Sequence, residues 1–129
     1  MTNPVNRITQ RTAALGRLDE ALARPKDSFI RDSAIQRFEF TADVAWKVLQ
    51  SVLEEKFGIR ANSPKTAVRL AGENGLVADV PAWLALIDDR NLTSHSYDEA
   101  IADQIYNALP HYAALVRTLL EAVQSETKE

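Results

Sequence analysis

Hydrophobic residues recur along the chain at intervals of three and four positions, which is the spacing of an amphipathic α-helix. Proline and glycine interrupt this pattern and divide the chain into about five helical segments. The first is predicted from about Pro4 to Ala23, and the second and longest from about Ser28 to Phe57. No segment alternates between apolar and polar residues as a half-buried strand would. The pattern therefore predicts an all-α protein.

Residues that favour helix ends support these boundaries. Asn3 can cap the first helix, and either Asp27 or Ser28 can cap the second. Gly58 can end the second helix in the left-handed conformation. The breaks between helices are therefore expected from local chemistry as well as from the loss of periodicity.

The third and fourth helices are shorter. Ser63 and Pro64 are typical of a helix start, and the third helix is predicted from there to about Asn74. The fourth is predicted to start at Pro81 and to run into a polar segment at Arg90.

A fifth helix, from about Asp98 to Val123, completes the chain. At 129 residues the whole chain, 1–129, fits one domain, in which the polar tail 124–129 is expected to fray. We therefore expect an antiparallel up-and-down bundle of four to five helices.

The apolar stripe of the second helix is wider than a single packing surface needs. Its seam positions are Ile35, Phe38, Ala42, Ala45, Leu49 and Val52, and the stripe is widened by Phe40, Trp46, Val48 and Leu53. Either this is a central helix buried on two sides, or part of its surface forms a dimer interface. The pattern alone leaves both interpretations open.

Composition narrows the class of protein. The chain is 46% hydrophobic and 26% charged, as in an ordinary globular domain, and it has no cysteine for disulfides or thiolate metal sites. Its N-terminus lacks the features of a signal peptide, and no apolar stretch approaches the roughly 20 residues that span a bilayer. We expect a cytoplasmic protein without membrane contact.

The charge balance argues against a protein that coats nucleic acid. With 15 basic and 18 acidic residues the net charge is −3, whereas such proteins usually have a strong basic excess. Any contact with nucleic acid is therefore expected to be local, in a cleft, which still permits a nuclease.

The residues with the most chemical potential are RNLTSHSY at 90–97, here called the Arg90–Tyr97 segment. At about 100° per residue, a continuing helix would place Arg90 and Tyr97 on nearly the same face and Asn91 beside His95. Arginine binds phosphate through a planar fork, and histidine can transfer protons near neutral pH. An ordinary helix C-terminus and turn would account for the same composition, so the residues alone favour neither interpretation.

The same segment resembles the R-x4-H-x-Y signature of HEPN domains of the HepT type, through Arg90, His95 and Tyr97. Further blocks at 31–41, 45–47, 63–65 and 89–99 resemble one subgroup, the nucleotidyltransferase substrate-binding proteins, which are encoded beside a minimal nucleotidyltransferase. The resemblance covers about residues 28–120. The short motif is weakly specific by itself, whereas the ordered blocks together are strongly specific.

This resemblance implies a homodimer in which the arginine and histidine of both subunits face one cleft. One His95 would act as general base on an RNA 2′-hydroxyl, the other as general acid, and Arg90 would stabilise the phosphate. No metal and no other cofactor is implied, and no metal-ligand spacing stands out in the sequence. Tyr97 is implied to be the residue that the partner nucleotidyltransferase adenylylates; its alternative is a tyrosine packed at a helix start.

Other polar residues receive structural interpretations. Asn91 is expected to orient His95 or to cap the helix end, and His111 to be structural. Trp46 and Trp83 are expected in the core or an interface rather than as platforms for nucleotide stacking. The charged residues of the second helix can line a cleft, although a solvated face is the favoured interpretation for them: Arg31, Arg37, Glu39 and Lys47.

Two functions of different classes follow. The chain is either a toxin ribonuclease neutralised by a nucleotidyltransferase antitoxin, or a non-catalytic subunit that presents a substrate to that nucleotidyltransferase. The Arg90, His95 and Tyr97 set favours the first, and the acidic charge mildly favours the second. Whether the chain is an enzyme stays open at this stage.

Overall fold

A computed structural model describes the backbone of residues 4–127 and the side chains of residues 11–124, and within that range it is entirely helical apart from turns and loops. The all-α prediction is therefore confirmed. The helices are α1 (Pro4–Leu22), α2 (Ser28–Phe57), α3 (Pro64–Glu73), α4 (Val80–Leu92) and α5 (Glu99–Thr127), with a 3₁₀ turn at Thr93–His95. None of the described helices is both long enough and apolar enough to cross a membrane.

The helix starts follow the predicted caps closely. Asp27, rather than Ser28, caps α2, and its carboxylate accepts a hydrogen bond from the amide of Ile30 at 2.7 Å. Asp79 caps α4 in the same way, so that α4 begins at Val80, one residue before the predicted start. The predicted cap Asn3 lies outside the described residues.

Glycine ends α2 as predicted. Gly58 has φ 66°, and its amide donates to the carbonyl of Glu54 while the next amide, of Ile59, donates to Leu53. For a residue with a Cβ, this left-handed conformation would be less favourable by about 1–2 kcal/mol. The final helix extends to Thr127, past the predicted end at Val123, and the last two residues of the predicted frayed tail lie outside the described range.

Helix α2 is the centre of the bundle because it contacts each of the other four helices. Its buried residues occupy several sides of the helix: Arg31, Ala34, Ile35, Phe38, Thr41, Ala42, Ala45, Val48, Leu49, Val52 and Leu53. The interpretation as a helix buried on more than one side is therefore confirmed. Phe40 is 54% exposed, and the dimer interface stays a prediction.

The two tryptophans pack as predicted. Trp83 of α4 is buried in the core, whereas Trp46 of α2 is partly buried and packs against it. Phe38 of α2 stacks on Tyr112 of α5 with the ring centroids 5.5 Å apart. These contacts hold α4 and α5 against the central helix.

Arg31 is an exception to the predicted solvated face of α2. Its side chain is only 6% exposed, and its guanidinium donates to Glu99 at 2.6 Å, Asp103 at 3.2 Å and Asp32 at 3.1 Å. The solvated-face prediction is therefore wrong for this residue. A buried cation is retained because each side of its planar fork meets a carboxylate. Glu99 begins α5, so this cluster fixes where α5 starts after the Arg90–Tyr97 segment.

The other charged residues of α2 differ among themselves. Arg37 donates to the backbone carbonyl of Arg17 at 2.7 Å and so ties α2 to α1. Lys47 is exposed, as predicted, whereas Glu39 is half-buried and turns toward α4. Only Glu39 of these three contributes to the site described below.

The Arg31 cluster predicts a specific dependence of stability on acid. Hydrogen bonds from Arg31 lower the pKa values of Glu99 and Asp103, and a bond from Lys26 lowers that of Asp103 further. The folded protein thus binds these protons less tightly than the unfolded chain. The stabilisation is complete above the ordinary carboxylate pKa values of about 4 and is lost as the pH falls through the lowered values.

We therefore expect the Glu99→Gln/Asp103→Asn variant to be less stable than wild type at pH 7 and the difference to shrink between about pH 5 and pH 2. Urea unfolding at fixed protein concentration, followed by circular dichroism, measures this. Glu73→Gln, which removes an exposed carboxylate at the end of α3, should follow the wild-type curve. A stability difference that is constant with pH would contradict the assigned role of the two carboxylates.

Candidate functional site

The Arg90–Tyr97 segment is built by the end of α4 and the turn that leads into α5. After Leu92 the helix tightens into the 3₁₀ turn, in which the Thr93 hydroxyl donates to the carbonyl of Arg90 at 2.7 Å. The Asp98 carboxylate then accepts the amides of Ala100 and Ile101, which caps α5. Much of the polar run therefore serves to end one helix and start the next.

A partly buried hydrogen bond from α5 holds the end of α4 in place. The Tyr112 hydroxyl of α5 donates to the Asp89 carboxylate at 2.6 Å, next to Arg90 in the chain. Burial, together with the hydrogen bond to Asp89, raises the pKa of Tyr112 well above its ordinary value. The phenol is therefore a permanent donor at physiological pH, and the last turn of α4 cannot rotate freely on α5.

Arg90 points toward the central helix. Its Nε donates to Oδ1 of Asp43 at 2.9 Å and its Nη2 to Oδ2 at 3.2 Å, a bidentate pair. Nη1 also lies 3.5 Å from the Glu39 carboxylate. The Asp43 carboxylate raises the pKa of Arg90, and the guanidinium stays charged at any physiological pH. With its side chain 31% exposed, Arg90 is oriented by α2 while one edge remains accessible.

Sequence reasoning does not single out Asp43. It lies 47 positions from Arg90, which no local pattern connects. A usable signal exists nevertheless, because Glu39 and Asp43 are four residues apart on a helix and so present two carboxylates on one face. Two half-buried carboxylates on one face of a packed helix indicate a cationic partner on a neighbouring helix.

His95 and Tyr97 form a second, separate pair. The His95 Nδ1 and the Tyr97 hydroxyl lie 3.3 Å apart, and the rings meet edge to face with centroids 5.9 Å apart. Which group donates depends on the imidazole tautomer. His95 is exposed, and Tyr97 is 80% exposed. An imidazole and a phenol are thus held together at the surface.

The structure brings the predicted site residues to one end of α4 without joining them all. Because the α-helix stops at Leu92, the helical spacing that would align Arg90 with Tyr97 does not extend that far. Within the part of the chain whose side chains are described, no hydrogen bond or ion pair links Arg90 with His95. Within one chain, Arg90 with its carboxylate partner and the His95–Tyr97 pair are therefore neighbouring but separate groups.

Asn91 lies at the end of α4, and its predicted supporting role stays a prediction. Its carbonyl accepts a hydrogen bond from the Ser94 hydroxyl at 3.3 Å, which belongs to the helix end. Its side-chain amide, however, makes no hydrogen bond to His95 or to any other residue in the range 11–124, and it lines a cleft instead. The other histidine, His111, is exposed on α5 beside Tyr112, with ring centroids 6.2 Å apart.

A cleft of about 300 Å³ opens next to Arg90, between α2, α4 and the start of α3. Its lining combines apolar walls with three polar groups: Ala42, Asp43, Trp46, Pro64, Ile87, Arg90 and Asn91. This volume is at the lower end of the range of small-molecule sites. Among the described residues, no group of three or more His, Asp or Glu side chains is arranged to hold a metal ion.

These groups define what the surface can do chemically. The guanidinium of Arg90 can bind a phosphate through its accessible edge, the imidazole of His95 can exchange a proton with a bound hydroxyl, and the phenol of Tyr97 can act as a nucleophile toward an activated phosphate. A substrate that carries a hydroxyl group near a phosphate would match the guanidinium of Arg90 and the imidazole of His95.

The sequence matches the family model described as nucleotidyltransferase substrate binding protein like over residues 6–125. The probable ribonuclease HepT of Haemophilus influenzae is 31% identical over 99 residues, which are 74% of this chain and 68% of that protein.

Solved structures share the architecture. A protein of Thermus thermophilus is 43% identical, with a TM-score of 0.83 and coverage of 87% of this chain and 97% of that one. A tri-AMPylated HEPN toxin of Shewanella oneidensis, solved in complex with an MNT antitoxin, has a TM-score of 0.77 and covers 96% and 99% of the two chains. At 14% identity that likeness shows the fold alone. The chain therefore belongs to the nucleotidyltransferase substrate binding protein-like family and is related to HepT, so the resemblance identified in its sequence is confirmed.

Proposed function

We propose that this protein is the HEPN component of a pair with a minimal nucleotidyltransferase and acts as a metal-independent ribonuclease toxin. In this proposal two subunits form a homodimer, and Arg90 and His95 of both chains supply the active site. The partner silences the toxin by adenylylating Tyr97. The relationship to the probable ribonuclease HepT and the family description support the pairing.

One observation carries the catalytic proposal: the end of α4 presents an oriented arginine together with an exposed histidine. Asp43 holds Arg90 by two hydrogen bonds, so little conformational entropy remains to be lost when a phosphate binds. Those bonds use two of the five guanidinium donors. His95 follows Arg90 in the same segment and is exposed, as a group that transfers protons to a substrate must be.

The reaction proceeds by attack of the RNA 2′-hydroxyl on the adjacent phosphorus. The His95 of one subunit removes the hydroxyl proton, the 2′-oxygen bonds to phosphorus, and a 2′,3′-cyclic phosphate forms as the 5′-oxygen leaves. The His95 of the second subunit protonates that 5′-oxygen, and Arg90 stabilises the charge on the phosphate oxygens. DNA lacks the 2′-hydroxyl and resists cleavage.

We expect His95→Ala to lower RNA cleavage by about 10²- to 10⁴-fold, because it removes the general acid and base, and Arg90→Ala to lower it by about 10²- to 10³-fold through lost charge stabilisation. Gel analysis of cleavage of a labelled RNA in the presence of EDTA measures both. His111→Ala provides the matched control, since it removes the other exposed histidine, and it should keep wild-type activity. Equal activity of all four proteins would refute the catalytic proposal.

The dimeric site makes a second, quantitative prediction. If one cleft needs the His95 of both subunits, a dimer of one wild-type and one His95→Ala chain is inactive. After the two proteins are unfolded and refolded together, activity should then fall as the square of the wild-type fraction. A linear fall would show that each chain acts alone and would overturn the shared site.

Tyr97 is proposed as the modified residue because its phenol is 80% exposed. The phenolic oxygen attacks the α-phosphate of ATP bound to the nucleotidyltransferase, pyrophosphate leaves, and the phenolic proton passes to a base. His95 Nδ1, 3.3 Å from the hydroxyl, can accept that proton in its neutral form. The attached AMP adds a negative charge and bulk beside His95.

Incubation with the partner nucleotidyltransferase and ATP should therefore place AMP on Tyr97 and lower RNA cleavage at least about tenfold, because the added phosphodiester competes for Arg90. Peptide mass spectrometry locates the modification. Tyr97→Phe should remain unmodified and active, and Tyr106→Phe, which alters a half-buried tyrosine of α5, should be modified like wild type. AMP on another residue of the Tyr97→Phe variant would contradict the assignment.

The second candidate function is a non-catalytic subunit that presents a substrate to the nucleotidyltransferase. The carboxylates around Arg90 favour it, because Asp43 and Glu39 offset the positive charge on which a ribonuclease depends. If this alternative holds, the wild-type protein and the Arg90→Ala and His95→Ala variants do not cleave RNA. The two variants then lose only the binding of the nucleotidyltransferase substrate.

A further inference from the structure

The cleft beside Arg90 has no assigned role in the reaction described above. It is distinct from the His95–Tyr97 pair, since neither of those residues lines it. Its volume of about 300 Å³ is sufficient for a small heterocyclic ligand. Its position is informative, because Arg90 belongs both to the cleft and to the proposed phosphate site.

The apolar part of the lining suits a flat ring. Trp46 is partly buried and packs against the core, so its indole is held in place rather than free to rotate in solvent. Pro64, at the first turn of α3, and Ile87 of α4 supply further apolar surface. Nucleobases stack on aromatic side chains with little regard to sequence, and a fixed indole is the preferred platform.

The polar part of the lining suits the edge of a base. The Asn91 amide can donate and accept, and within residues 11–124 it has no hydrogen-bond partner. The Asp43 oxygens each accept one hydrogen bond from Arg90 and retain acceptor capacity. A ligand that donates to Asp43 and exchanges hydrogen bonds with Asn91 would satisfy both groups.

Charge argues against a phosphate inside this cleft. A phosphate there would meet the Asp43 carboxylate as well as Arg90, and Glu39 lies 3.5 Å from the guanidinium. A neutral base carrying an amino group meets the same carboxylate as a hydrogen-bond acceptor. The occupant that fits the lining is therefore a base, with its phosphate outside at the accessible edge of Arg90.

We propose that this cleft is a nucleobase subsite in which Trp46 stacks the base while Asp43 and Asn91 select one with an exocyclic amino group. Adenine, cytosine and guanine carry such a group, and uracil does not. The assignment of the bound base to the RNA next to the cleaved phosphate rests on the proposed ribonuclease function. The binding of the base itself does not depend on cleavage.

Isothermal titration of the protein with adenosine 5′-monophosphate and uridine 5′-monophosphate tests the subsite. The two ligands share ribose and phosphate, so their difference reports the base alone. We expect the adenine nucleotide to bind at least about fivefold more tightly, the lower end of what one good base contact contributes. Equal binding, or no binding of either, would overturn the proposal.

Two variants separate the stacking from the edge contacts. Trp46→Leu should weaken the adenine nucleotide at least about fivefold, whereas Trp46→Phe should restore most of the affinity. Asn91→Leu changes an exposed side chain and so leaves the fold intact, and it should reduce the difference in affinity between the two nucleotides. Lys47→Ala, next to Trp46 but absent from the lining, is the matched control and should bind like wild type.

Cleavage of an RNA library distinguishes this proposal from the ribonuclease proposal. Cleavage with a bias against uracil that is reduced in Asn91→Leu supports both proposals. Cleavage without any base preference, in a protein that binds neither nucleotide, overturns the subsite and leaves the ribonuclease in place. Preferential binding of the adenine nucleotide without any cleavage supports the subsite, overturns the ribonuclease, and favours the substrate-presenting function.

Discussion

The burial of α2 by the four other helices is the constraint on which the rest of the molecule depends. Polar side chains of this 30-residue helix that lie at its packed surfaces must have partners there, because burying an unpaired polar group is costly. Arg31 forms ion pairs with the start of α5, and Asp43 forms an ion pair with Arg90 at the end of α4. One ion pair therefore lies at the first residue of the Arg90–Tyr97 segment and the other just after its last residue, and both hold the segment to the same central helix.

This arrangement explains why the segment is ordered although its own residues are polar. Its backbone is fixed by local caps, the turn of α4 that precedes it is fixed by Tyr112 through Asp89, and the helix that follows is fixed by Arg31 through Glu99. The exposed side chains, His95 and Tyr97, do not have to contribute to folding. Residues that are free of a structural task on a rigid support are well placed for chemistry.

The sequence is sufficient to predict the helices but not the ion pairs that form between them. Helix boundaries depend on caps and periodicity, which are local, and the predicted range of α2, from Ser28 to Phe57, is the one observed. Glu99 and Asp103 lie 68 and 72 positions from Arg31, and Asp43 lies 47 positions from Arg90, so these ion pairs depend on how the helices pack. For this reason the local pattern places Arg31 on a solvated face and does not identify Asp43.

The carboxylates around Arg90 also affect how the proposed switch works. Asp43 already accepts two of the guanidinium hydrogen bonds, and Glu39 adds a second negative charge at 3.5 Å. In the proposed ribonuclease, a substrate phosphate would therefore meet a cation whose charge is largely balanced, and its net attraction to the site would be small. When competing terms nearly cancel, a modest change decides the outcome.

One AMP group on Tyr97 would contribute such a change, because its phosphodiester charge would be placed beside His95 and close to the end of α4 that carries Arg90. A strongly basic cleft would retain RNA despite one added negative charge. An active site with almost no net charge would not retain RNA after this modification. Its sensitivity to one added charge would follow from the same Asp43 carboxylate that orients Arg90. The acidic balance of the chain, which counts against a general nucleic-acid binder, is thus consistent with a nuclease that a single modification can silence.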